Sequence, residues 1–130
     1  VSNTFLAEAY AAKGDMASAI ATIEKTPRDA MDPQALGTTG YIYAVSGDRE
    51  KAQKILEEFA TRSSHEYVPA LNFAQIYSGL GDHANALARI DEARVEGAIW
   101  IPFLKVDLKF APLRPDPRFI ELLRKVGFAD

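Results

Sequence analysis

Cysteine is absent from the 130 residues, which excludes disulfides, zinc–thiolate sites and thiol nucleophiles. The compartment is left undetermined, with the cytoplasm slightly favoured. Histidine is scarce: only His65 and His83 occur, too few for a histidine metal centre. His65-Glu66 opens like a zincin motif, but Pro69 stands where the second histidine would fall. No excess of positive charge exists either. The 15 lysines and arginines face 18 acidic residues, a formal net charge of −3, whereas nucleic-acid phosphates demand a basic face. The domain is therefore not expected to bind nucleic acid directly. Long apolar runs are missing: the longest, around Ala98 to Leu104, falls far short of the roughly 20 residues of a spanning helix. No membrane partner is expected. Alternating, strand-like stretches are lacking as well.

What is present is an internal period. Hydrophobic residues make up 48% and charged residues 25%, the balance of an ordinary globular chain. Gly-Asp pairs stand at Gly14-Asp15, Gly47-Asp48 and Gly81-Asp82, separated by 33 and then 34 residues. Four positions before each glycine is a tyrosine (Tyr10, Tyr43, Tyr77), and seven before is a small residue (Ala7, Gly40, Ala74). Five positions after each is an alanine (Ala19, Ala52, Ala86), and nine after is a large aliphatic (Ile23, Leu56, Ile90). Glycine tolerates the left-handed position that ends a helix, and aspartate caps the start of the next. Small residues allow paired helices to approach, while tyrosines and aliphatics at helical spacing fill the space between them. The pattern predicts helix–turn–helix three times over: helices near 2–13 and 16–26, 33–46 and 49–62, 67–80 and 83–96. Asp32-Pro33 suits a capped start with proline in the first turn.

The order small–Tyr–Gly-Asp–Ala–aliphatic at this spacing resembles the tetratricopeptide repeat, over Ser2 to about Trp100. The early aromatic of that family is replaced here by Asn3, Leu36 and Ala70. The resemblance implies an all-α fold, a right-handed α-solenoid of helix–turn–helix repeats closed by C-terminal capping helices. The expected division is one domain over 1–130, with repeats near 1–32, 33–66 and 67–98 and a cap at 99–130. The chain opens on Val1 inside a repeat, so a fragment of a longer protein is expected. The run Pro-Leu-Arg-Pro-Asp-Pro-Arg-Phe, 112–119, is similar to the closing segment of tetratricopeptide regions in multidomain bacterial signalling proteins and transcription regulators. There the repeats follow a winged-helix or kinase domain.

In the tail, Trp100, Ile101, Phe103, Leu104 and Val106 predict a short helix around Pro102. Residues 110–115 are too proline-rich for helix. From Pro117 a last helix is expected, with Asp116 as cap and Phe119, Leu122, Leu123 and Val126 on one face. The stretch Lys109 to Phe128 is locally basic through Lys109, Arg114, Arg118, Arg124 and Lys125. Arg114 and Arg118 are expected mainly to cap the carbonyls of neighbouring helices or pair with nearby acids, the alternative being contact with an acidic surface of a partner.

Catalytic motifs fail on context. Gly79-Leu-Gly81-Asp-His-Ala84 has dinucleotide-fingerprint spacing, but a predicted helix precedes it where the motif needs a strand. Ser63-Ser64-His65 puts hydroxyls beside an imidazole only in sequence, which is not triad geometry. No enzyme activity and no cofactor are expected. The family resemblance implies instead a scaffold that binds a peptide or protein on the concave face lined by the first helix of each pair. Counting along those helices from the tyrosine column places Glu8, Gln34, Thr38, Tyr41, Asn72 and Gln75 outward as partner-contacting residues, with Thr4, Ala11, Val45, Leu71 and Ser78 beside them. Tyr41 is the expected anchor, because rigid aromatics dominate interface energetics. The lysines and arginines with which some family members clamp a terminal carboxylate are not at these positions. The alternative expectation is a structural module that self-associates into a homo-oligomer.

Overall fold

A computed structural model describes residues 3–27, 31–65, 68–95 and 108–125. Within these the chain is all-α: seven α-helices, one 3₁₀ helix and no strand. The α-helices are α1 (Asn3–Ala12), α2 (Met16–Ile23), α3 (Pro33–Val45), α4 (Arg49–Arg62), α5 (Ala70–Leu80), α6 (His83–Val95) and α7 (Pro117–Lys125). The 3₁₀ helix η1 spans Leu108–Leu113. The helix expected around Pro102, and Val126 of the last helix, lie outside the described residues.

The three Gly-Asp pairs build one turn three times. Gly14, Gly47 and Gly81 have φ of 85°, 96° and 78°, in the left-handed region open to glycine. Each following aspartate N–H donates back to the column tyrosine carbonyl: Asp15 to Tyr10 at 3.0 Å, Asp48 to Tyr43 and Asp82 to Tyr77 at 2.9 Å. The glycine N–H bonds the carbonyl three residues earlier in all three. The aspartate side chain then accepts from the backbone N–H three residues on, of Ser18, Lys51 and Asn85. Two glycine-dependent bonds close one helix and one carboxylate opens the next.

Two predicted boundaries move for local reasons. Helix α2 stops at Ile23, because Lys25 and Thr26 N–H groups turn to carbonyls three residues back, and Pro27 has no N–H to continue the ladder. Helix α5 begins at Ala70 rather than 67, since Pro69 caps it with extended backbone (ψ 139°) and proline disfavours helix in the residue before it. Residues 110–113, part of the stretch expected to be non-helical, belong to the short 3₁₀ helix η1; a run this brief asks few N–H donors of a segment containing Pro112.

Helices pair as α1–α2, α3–α4 and α5–α6, and each pair also packs on the next, α1 and α2 on α3, α3 and α4 on α5. The alanine column, Ala19, Ala52 and Ala86, is fully buried, as are Ala7 and Ala74. One apolar cluster runs through α1 to α5, with Ile23, Leu36, Ile55, Phe59, Phe73 and Ile76. A second joins Ala74, Ala86, Leu87 and Ile90 to Phe110, Leu113, Phe119 and Leu122 of η1 and α7. Tyr77 of α5 packs against both. Arg49 and Arg62, at the two ends of α4, each donate at 2.9 Å to a carbonyl elsewhere, of Leu80 and Met31 respectively. The first supplies a cation where α5 leaves its carbonyls unpaired.

Candidate interaction surface

Glycine brings two of the first helices into close contact. A Cβ at Gly40 of α3 would stand 2.5 Å from Ile76 Cδ1 on α5, and one at Gly37 would stand 3.3 Å from Asn72 Cβ. From the α5 side, a Cβ at Gly79 would meet Ala44 Cβ and Tyr41 Cδ1, both at 3.0 Å. Three missing side chains therefore bring α3 and α5 backbone close together.

This approach corrects half of the sequence-based site. Thr38, Asn72 and Gln75, expected to face outward, are only 4%, 6% and 7% exposed, and Ser78 is buried with them. Counting outward positions treats each first helix as if it stood alone, but successive first helices pack flank to flank and cover these residues. Asn72 abuts Gly37, and Gln75 Oε1 lies 3.4 Å from where a Cβ at Gly37 would be. That oxygen has no hydrogen-bond partner among the described residues. Leu71 packs against the second apolar cluster.

Of the remaining expected residues, Gln34 is exposed while Glu8 and Tyr41 are half-buried, as are Ala11 and Val45. Thr4 lies in α1, but its side chain is outside the described residues. Tyr41 is the largest of this set and is well seated. Its ring edge and carbonyl rest against the bare backbone of Gly79, where a Cβ would be 3.0 Å from Cδ1 and 3.2 Å from the carbonyl oxygen. The missing Cβ of Gly79 makes room for this edge, and the Tyr41 side chain stays half-buried.

The C-terminal elements form a second concavity that sequence reasoning missed. Helices α6 and α7 flank a groove of about 540 Å³, with Ala84, Leu87 and Ala88 on one wall and Pro117, Glu121 and Leu122 on the other. The only sequence signal was the Ala84–Ala88 pair, four residues apart on α6. Two of the five cations of the basic stretch beside it are paired with acids, Arg118 with Asp116 at 2.9 Å and Arg124 with Glu121 at 3.5 Å. Ser63 and Ser64, the hydroxyls beside His65, donate to the carbonyls of Ala60 and Thr61 and so finish α4.

Asp116 is the most perturbed acid described. The Arg118 guanidinium, and then the Arg118 N–H, donate to its carboxylate and hold its pKa down to about 2; His83, with Nδ1 3.6 Å away, adds to this. A pKa lowered on folding contributes stability above the unfolded carboxylate value, about 3.9, and loses it as pH falls through the folded value. The melting-temperature difference between wild type and Asp116→Asn should therefore be present near neutral pH. It should narrow below about pH 4 and close near the folded value of about 2. A difference that persists unchanged to the acid end would mean that the carboxylate charge is not what holds the α7 start.

Among the described residues no three acids or histidines gather as metal ligands, and no helix is long and apolar enough to cross a membrane. Comparison with family models, with curated proteins and with solved structures finds no match to the chain.

Proposed function

We propose that this chain is a tetratricopeptide-like helical-repeat module, a right-handed solenoid whose work is to hold a peptide or protein partner on its first helices. The repeat reading is supported by the recurrence of one hydrogen-bonded glycine turn at all three Gly-Asp pairs, with the same columns buried around each. The binding reading rests on Tyr41, a half-buried ring braced by Gly79 on the neighbouring first helix. Gln34 and Val45 of α3 and Glu8 of α1 complete the accessible surface. Asn72 and Gln75 of α5 lie beneath it against Gly37 of α3, and Thr38 is buried. The accessible residues carry one charge, that of Glu8, and no cation, which suits a partner recognised by aromatic contact and hydrogen bonds rather than by a terminal carboxylate.

The test is affinity capture, identification of the retained protein by mass spectrometry, and titration of that purified protein. Tyr41→Ala should weaken binding by about tenfold or more, while Glu57→Ala on the exposed outside of α4 should leave it unchanged. Equal affinity for both variants would move the contact away from α3, and the α6–α7 groove would become the next surface to probe.

A further inference from the structure

Charge is divided unevenly between the two helices of each pair. The first helices, α1, α3 and α5, contain no lysine or arginine and a single acid, Glu8. Cations stand instead on second helices, as Arg49, Lys51, Lys54 and Arg62 of α4 and Arg89 and Arg94 of α6 do. The repeat register also puts Glu8, Tyr41 and Gln75 in one column, 33 and then 34 residues apart. Because α1 packs on α3 and α3 on α5, this column is a row across three helices with Tyr41 at its centre. Glu8 and Tyr41 are half-buried. Gln75 is 7% exposed, and its Oε1 lies 3.4 Å from where a Cβ at Gly37 would be. That oxygen is fully enclosed and has no hydrogen-bond partner among the described residues. A buried acceptor left unpaired costs stability, so its presence in a native fold asks for a reason.

We infer that the group this row receives is the guanidinium of an arginine in the partner, an identification that rests on the binding function proposed above. Charge complementarity sets the sign: the only charged side chain of the three first helices is a carboxylate, and no cation stands among them to oppose a positive ligand. The aromatic ring and the orphaned acceptor set the shape. A guanidinium is planar, packs against aromatic rings and carries five N–H donors, whereas a lysine ammonium is a compact point charge. Set against Tyr41, it has the Glu8 carboxylate on one neighbouring helix and the Gln75 carboxamide on the other. Packed helix axes stand about 8–10 Å apart, a span that the flexible Glu8 and Gln75 side chains reduce from both sides. Turning the Gln75 amide toward the surface forfeits no hydrogen bond of its oxygen, and the arginine supplies the donor that the fold does not.

The probe is a blocked pentapeptide, acetyl-Gly-Ala-Arg-Ala-Gly-amide, titrated to about 20 mM into the isotope-labelled intact chain and followed by amide NMR. Saturable shifts should centre on α3 and α5 around Tyr41, with a dissociation constant on the order of millimolar. Citrulline in place of arginine keeps the shape without the charge and should weaken binding by about tenfold or more. Tyr41→Ala should do the same. Glu8→Gln should weaken it by about threefold, while Glu57→Gln, on the exposed outside of α4, should leave it unchanged. Gln75→Met keeps the length and removes the orphaned acceptor. It should raise the melting temperature by about 3 °C and yet weaken the peptide by about threefold, a pairing that a merely structural glutamine would not produce. Absence of saturable shifts overturns the inference, as does equal binding of the citrulline peptide or a response confined to α6 and α7. If Tyr41→Ala still weakens the captured partner in that event, the proposed binding function stands and only the arginine falls.

Discussion

Phe59→Ala should cost this protein about 3–5 kcal/mol, the usual loss for truncating a buried phenylalanine. Phe59 is fully buried on α4, and its ring stands 5.1 Å from that of Phe73 on α5, tilted by 54°. The Arg89 guanidinium of α6 lies 3.9 Å from the centroid of the Phe73 ring. The three groups thus connect the second helical pair to both helices of the third. Removing the first ring takes away its burial, leaves a cavity between pairs that cannot fully collapse, and frees Phe73 to shift under Arg89. Against a typical total of about 5–15 kcal/mol, the loss brings the chain close to unfolding at ordinary temperature. Urea denaturation monitored by circular dichroism reads it directly. Phe59→Leu, which keeps most of the volume, should cost less than about 1.5 kcal/mol. A loss below about 1 kcal/mol for the alanine variant would mean that the α4–α5 contact adds little to the fold.

Gly40→Leu should be nearly as damaging, for the opposite reason. Its Cβ alone would sit 2.5 Å and 2.7 Å from Cδ1 and Cγ1 of Ile76 and 3.3 Å from Cγ2 of Ile55, and both isoleucines are fully buried. Overpacking of this kind costs about 1–3 kcal/mol and occasionally more, and a leucine adds three further carbons, so about 3 kcal/mol is expected. Gly40→Ala is a closer contest. Alanine gains about 1 kcal/mol in a helix over glycine, offsetting part of the clash, so a net loss of about 0–2 kcal/mol is expected. If the clash with Ile76 is the cause, combining Gly40→Ala with Ile76→Val should recover part of the loss, a coupling on the order of 1 kcal/mol in a double-mutant cycle. Strict additivity of the two changes would place the strain elsewhere.

The turns were legible in the sequence because their chemistry is local. A glycine that must adopt positive φ and an aspartate that must accept from the N–H three residues on are both specified within a few residues, and all three pairs behave alike. The buried alanine and aliphatic columns follow from the same register. The accessible surface was half legible. Tyr41, Gln34 and Glu8 reach solvent, but the burial of Thr38, Asn72 and Gln75 depends on how near α5 comes to α3. That distance is set by Gly37, Gly40 and Gly79, only one of which stood out as a repeated small residue. The α6–α7 groove was not legible at all, because it depends on where α7 lands after a long intervening segment. Even so, the start of α7 at Pro117 and its buried Phe119 and Leu122 followed from proline chemistry and spacing.

Helix α5 belongs to two apolar clusters: Phe73, Ile76 and Leu80 to one, Ala74 to the other, with Tyr77 against both. A wall shared in this way couples the two ends of the chain in time as well as in space. The C-terminal elements can fray from α5, and α1 and α2 from α3, without disturbing the other cluster, but α5 cannot open without releasing both. Its backbone amides are thus exposed to solvent only by the opening of the whole chain, while those of α1 and α7 exchange through smaller openings of lower free energy. Among the described helices, α5, on which Tyr41 rests, should therefore show the slowest amide hydrogen exchange.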